Sequence, residues 1–150
     1  PKVVSKCKSS GYFKNVTIRP GKPILFSKLK NKGIFGLPGN PISSAACFRF
    51  FVYPYLLNIL DIKKEKSFKA ILKNKFDKKK NLTRFLKGRL TSTKSGKIKI
   101  EILKGQESFR IKSFVKSNVW GVFKAGKSKF KKGELIDCYL PEESNLNIWS

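Results

Sequence analysis

The chain has 150 residues, room for one domain or two small ones, and its 40% hydrophobic and 13% aromatic content supports a real core. No apolar run approaches 18 residues and the start is a Lys-rich mixed segment, so neither a membrane-spanning helix nor a secretion signal is read, and a cytoplasmic protein is expected. The sequence contains no histidine, which removes the commonest general base and every Ser-His or Cys-His nucleophile pair, while a formal net charge of +25 directs attention to anionic ligands.

In chain order, residues 12–18 alternate apolar and polar side chains and read as a strand that delivers Arg19 to the loop Arg19-Pro20-Gly21-Lys22-Pro23. Residues 23–27 and 34–37 read as two further strands joined through the turn residues Lys30-Asn31-Lys32-Gly33. A second loop follows, Gly36-Leu37-Pro38-Gly39-Asn40-Pro41-Ile42-Ser43. Asn40 suits a helix N-cap, Pro41 the first helical position, and Ser43 places a hydroxyl in the first turn.

The helix from Pro41 carries Ile42, Ala45, Ala46, Val52, Leu56, Ile59 and Leu60 as a buried stripe, with a kink or break expected where Pro54 frees the carbonyl of Phe50. From Asp61 to Lys66 the pattern dissolves into charge, marking a boundary between 1–62 and 63–150. Beyond it, residues 85–93 and 97–103 alternate around Lys94-Ser95-Gly96. Residues 119–123 and 135–140 are further strands, the last preceded by a Gly133-Glu134 turn. Short strands at this spacing suggest a small barrel or sandwich, with residues 141–150 as a tail.

Both Gly-Pro loops are suited to an anion. Gly21 and Gly39 let backbone N–H groups approach a ligand, the prolines stiffen the loops, and Arg19 and Lys22 supply charge. The start of the Pro41 helix adds free N–H groups and a favourable dipole, so phosphate is the expected ligand. Residues 1–60 hold ten basic side chains and no Asp or Glu, so they can bind phosphate but offer magnesium no carboxylate. Cys7, Cys47 and Cys138 are widely spaced, form no CxxC pair, and read as ordinary reduced thiols. Only five of the 34 basic residues are arginine and the lysines are scattered, which argues against a dedicated nucleic-acid binder.

At these residues the chain resembles the molybdopterin molybdenumtransferase family, comprising bacterial MoeA and the E domain of gephyrin. The resemblance rests on Arg19-Pro20-Gly21-Lys22-Pro23 and the Gly36–Ser43 loop, then on Phe48, Phe51, Val52, Pro54 and Leu56. It continues through Phe85-Leu86-Lys87, Arg89-Leu90, Gln106 with Ser108, Ser113-Phe114 and Asn118. It implies an α/β part followed by an all-β part: the C-terminal part of a three-layer molybdopterin-binding α/β domain (1–62, incomplete) and a small barrel-like β domain (63–150).

The implied function is molybdenum cofactor biosynthesis, in which a transferase inserts molybdate into adenylylated molybdopterin with release of AMP. This chain would be the C-terminal fragment, inactive alone. The resemblance carries substrate contacts onto Arg19, Lys22, Pro38, Asn40, Pro41, Ser43, Lys87 and Ser108, and implies Mg²⁺ with ligands from an upstream region. It implies a homodimer for the full-length protein; the want of a long apolar run is what argues against a membrane partner. The family often has Arg where Lys87 stands and Gly where Glu107 stands. A non-catalytic scaffold of the same fold and a basic nucleic-acid-binding protein are the alternatives.

Overall fold

The computed structural model describes residues 10–107 and 109–141. Their order is β1 (Ser10–Lys14), β2 (Ile18–Arg19), β3 (Leu25–Leu29), β4 (Lys32–Gly36), α1 (Pro41–Cys47), a π-helical turn (Phe48–Val52) and α2 (Tyr53–Ile59). Then come β5 (Phe68–Leu72), β6 (Phe76–Asp77), β7 (Thr83–Ser92), β8 (Ile98–Ile102), α3 (Ile111–Val115), β9 (Val119–Phe123), β10 (Lys129–Phe130) and β11 (Leu135–Tyr139).

Strand β7 is long enough to serve two neighbours within the barrel besides β2 at its start, and this closes the sheet. Its first half, Arg84–Gly88, pairs with β9, and its second half, Gly88–Ser92, pairs with β8. The circuit then runs β8 to β5 to β11 to β9 and back to β7, a five-stranded barrel. Gly88 stands where both pairings meet, and a Cβ there would lie 2.9 Å from the Ile100 side chain and 3.1 Å from that of Val119. Period-2 alternation sends Leu86, Ile100, Ile102, Val119, Phe123, Ile136 and Cys138 inward to a common core. The ribbon of β6 with β10 covers one end, where Phe76 and Phe130 pack on Phe123 with centroids 5.1 and 4.8 Å away.

Residues 10–60 lie against the outer face of this barrel. β1, β3 and β4 form an antiparallel sheet, with Lys30 at φ 52° in the two-residue turn that folds β3 back onto β4. Ile18, Ile24, Ile42, Ala46 and Cys47 share a second core with Phe85 and Trp120 of the barrel wall, and Phe50 stacks on Phe85 at 4.0 Å. Arg49 ties the two regions together. Buried, it pairs with Glu65, donates from Nε to the carbonyl of Leu140 at 2.8 Å, and lies over the rings of Tyr53 and Tyr139.

The described chain is mostly β with few, short helices, and the expected tail of a three-layer α/β domain is corrected accordingly. A two-residue turn makes β3 and β4 antiparallel neighbours, and β1 pairs antiparallel with β3 across residues 15–24, so this sheet has no helical crossover connection to place helices on both faces. The helix is interrupted before Pro54, where the π-helical turn Phe48–Val52 separates α1 from α2. Because the Pro54 nitrogen cannot donate, the preceding turn widens and the N–H of Tyr53 reaches back to the carbonyl of Phe48. Strand β5 and helix α3 have no counterpart among the elements expected from the sequence. The tail after Pro141, Cys7 and Ser108 fall outside the described residues. No helix among those described is long and apolar enough to cross a membrane.

Candidate functional site

The Arg19 loop is held from below by packing and from within by a turn. Ile18 is buried in the second core, the Arg19–Pro20 peptide is cis, and Gly21 adopts φ 104°. The N–H of Ile24 donates to the Gly21 carbonyl at 3.0 Å, and the thiol of Cys47 donates to the same oxygen at 3.6 Å. The only residue type that fits is glycine, since a Cβ at Gly21 would approach Cys47 Sγ to 2.5 Å. The loop is therefore seated against the end of α1.

At the other end of α1, Asn40 caps the helix as its sequence context suggests. Its side-chain oxygen accepts from the Ser43 N–H at 3.3 Å, its own carbonyl accepts from the Ser44 N–H at 2.9 Å, and the Ser44 hydroxyl bonds the carbonyl of Pro38. Ser43 is 7% exposed and its residue faces the Arg19 loop.

Between these elements opens a cleft of about 600 Å³ lined by Arg19, Lys22, Ser43, Lys79, Asn81 and Gln106. The turn bearing Lys79 and Asn81 is ordered by Lys78, whose ammonium donates to the carbonyls of Lys127 at 2.6 Å, Leu82 at 2.7 Å and Lys79 at 3.3 Å. Burial and then the charge of Arg84 hold the Lys78 ammonium below its ordinary pKa. Gln106 is fixed by its side-chain amide. It accepts from the Lys87 N–H at 2.9 Å and donates to the carbonyls of Lys87 and Leu103, each at 2.7 Å.

Of the residues expected to touch substrate, the cleft gathers Arg19, Lys22 and Ser43. Pro38, Asn40 and Pro41 lie on the adjoining loop and do not line it. Lys87 is placed elsewhere. Its side chain is 1% exposed and its ammonium donates to Ser113 Oγ at 2.7 Å and to the carbonyls of Gly105, Glu107 and Arg110 at 2.9, 3.3 and 3.4 Å. Burial lowers its pKa, with Glu107 opposing. Lys87 thus fastens the 105–113 loop to β7, with its ammonium donors directed to that loop and not to the cleft. Lys79 and Asn81 carry no motif that marks them in the sequence as cleft residues, and Gln106, part of the resemblance through its pairing with Ser108, is not among the expected substrate contacts; the fold brings all three to Arg19.

The cleft can hold an anion. Its lining offers cationic, hydroxyl and amide groups and no carboxylate, a donor set that fits phosphate oxygens. The same donor set does not fit Mg²⁺, which seeks carboxylate oxygen, and no His/Cys/Asp/Glu group able to hold a metal occurs among the described residues.

Residues 69–140 match the family model described as the MoeA C-terminal region (domain IV). The chain is 32% identical over 127 residues to the molybdopterin molybdenumtransferase of Haemophilus influenzae, covering 83% of this chain and 31% of that protein. It is 27% identical over 146 residues to the Staphylococcus aureus protein of the same name, covering 95% and 34%. The chain thus spans about a third of the length of these curated relatives. Among solved structures it resembles the molybdopterin biosynthesis MoeA protein of Pyrococcus horikoshii, with TM-score 0.69 and 24% identity over 85% of this chain and 32% of that one. A molybdenum cofactor biosynthesis protein from Pyrococcus furiosus gives 0.71 and 24% over 85% and 44%. At such identity the structures speak to the fold alone.

Proposed function

The chain corresponds to the C-terminal portion of the molybdopterin molybdenumtransferase family, and from this we propose that it acts in molybdenum cofactor biosynthesis as one wall of the site where molybdate is inserted into adenylylated molybdopterin. The observation that carries the reading is the cleft, where Arg19 and Lys22 meet Ser43 and Lys79 without an opposing carboxylate. Arg19 presents a planar fork to phosphate oxygens, Lys22 and Lys79 add point charges, and the Ser43 position at the start of α1 adds a short polar group. The wall's task is to bind and orient the adenylyl phosphate and to offset the charge of the AMP that leaves.

Insertion itself needs more than this wall. Magnesium, its carboxylates, the molybdate contacts and a homodimeric assembly belong to the complete protein in this proposal, and the 150-residue chain alone binds nucleotide without turnover.

Calorimetric titration with AMP tests the reading. AMP is expected to bind with an affinity that falls as salt is raised, and R19M and K22M each to weaken binding about tenfold, as befits a lost charge-assisted contact. A chain that ignores AMP, or binds it equally well after both substitutions, overturns the proposal. Dimerisation without AMP binding would then favour a scaffold.

A further inference from the structure

We propose that Arg84 and Arg19 together form an oxyanion subsite at the mouth of the barrel, one that takes a single tetrahedral anion of the phosphate class. The inference shares Arg19 with the cleft described above and so rests in part on that reading, but its defining residue is Arg84, which the cleft does not use.

The placement follows from register. Strand β2 adds to β7 in parallel, with Ile18 beside Thr83 and Arg19 beside Arg84. Residues in register on neighbouring strands project to the same face, roughly 4.8 Å apart at the backbone. For β7 that face is the barrel interior, because Leu86, two residues on, is in the core and Phe123, opposite Arg84 on β9, is fully buried. Two guanidinium groups therefore start side by side at one end of the barrel, where the β6–β10 ribbon sits.

Among the described residues, no carboxylate pairs directly with either group. Arg84 lies over the ring of Phe76 at 5.6 Å, and its Nε–H is buried without a hydrogen-bond partner. Burial, then the charge of Arg19, depress the Arg84 pKa, while Glu107 acts in the opposite sense. Glu107 is itself engaged by Arg110 at 3.5 Å. Lys78 adds a third cation to the neighbourhood. Like charges set in register on a sheet repel, and a buried donor left unpaired is costly. One tetrahedral anion between the two arginines resolves both, since each guanidinium can present two parallel N–H groups to a pair of its oxygens.

The sequence makes the test clean, because the chain has only five arginines and so five side-chain Nε–H resonances. Nitrogen-15 NMR of the 150-residue chain, titrated with inorganic phosphate, should move the Arg84 Nε–H signal saturably; R84K identifies it by its disappearance. R84M, which keeps an apolar stem against Phe76, should weaken phosphate binding about tenfold. K22M should weaken AMP binding while leaving the phosphate response of Arg84 in place. An Arg84 signal that stays still up to saturating phosphate overturns the subsite, and it does so in the wild-type chain without reliance on any variant's folding. If AMP still binds in a Lys22-dependent way in that event, the cleft reading survives alone. If Arg84 responds to phosphate but AMP does not bind, the cleft reading falls and the subsite stands.

Discussion

The Gly21 carbonyl accepts from the Cys47 thiol at 3.6 Å, and a methyl group added to Gly21 would meet that same sulfur at 2.5 Å. The anion loop is thus seated on the helix through a contact too close for any side chain. Gly21 also adopts φ 104°, which costs other residues about 1–2 kcal/mol before any clash is counted. G21A is expected to lower the melting temperature and to abolish AMP binding together. Gly39, in the neighbouring loop, has nothing near its Cβ direction, so G39A should leave the melt unchanged and serves as the control.

Lys87 should behave as a structural clamp. Replacing it with methionine removes the cation shared by the carbonyls of Gly105, Glu107 and Arg110, leaving them the Ser113 hydroxyl and the Arg110 N–H, and a cost of about 1 kcal/mol is expected in urea unfolding. Hydrogen exchange should rise at residues 105–113 and not in α1. Equal exchange across the chain would instead show that the clamp holds nothing local.

Arg49 and Glu65 form a pair whose side chains are 7% and 15% exposed. Removing one partner strands a charge beneath Tyr53 and Tyr139, so E65A is expected to lose about 3 kcal/mol, whereas the double variant R49M/E65L should recover much of that loss. Chemical denaturation of the three chains measures it.

Asp137 supplies a pH dependence with a definite sign. It receives Lys69 at 2.6 Å and Lys124 at 3.0 Å, and these hydrogen bonds hold its carboxyl below the usual aspartate range. A carboxyl depressed by folding adds stability above its unfolded pKa and surrenders it as pH falls through the folded one. Wild type should exceed D137N by about 1 kcal/mol at neutral pH. The gap should persist down to about pH 4, where a free aspartate begins to protonate, and close below it. Urea midpoints at about pH 7, 4 and 2 decide the matter.

What the sequence discloses depends on whether the signal is local. Asn40-Pro41 announces a cap because the partner N–H groups lie three and four residues away, and Val119–Phe123 announces a strand through its own alternation. Phe68, Ala70 and Leu72 alternate as well, yet the charged residues 63–66 just before them mask the strand. Lys87 looks like one more lysine because its acceptors are carbonyls of a loop 18 to 23 residues on. For Arg84 a signal does exist: in Arg84-Phe85-Leu86 it shares a face with a core leucine, and an inward-facing arginine on a barrel strand asks for a partner. The layered α/β expectation comes from the resemblance and not from these residues, whose own pattern announces the antiparallel hairpin turning at Lys30-Asn31.

Strand β11 bridges β5 and β9, pairing with Phe68–Ile71 on one side and with Trp120–Val122 on the other. During synthesis, then, the ring cannot close while Leu135–Tyr139 is still inside the ribosome. Until that strand emerges, β5 and β9 each offer an open edge bearing apolar side chains. Folding of this region is therefore timed by the release of its last strand, and any stall in translation just before Leu135 leaves a half-built sheet for chaperones to shield.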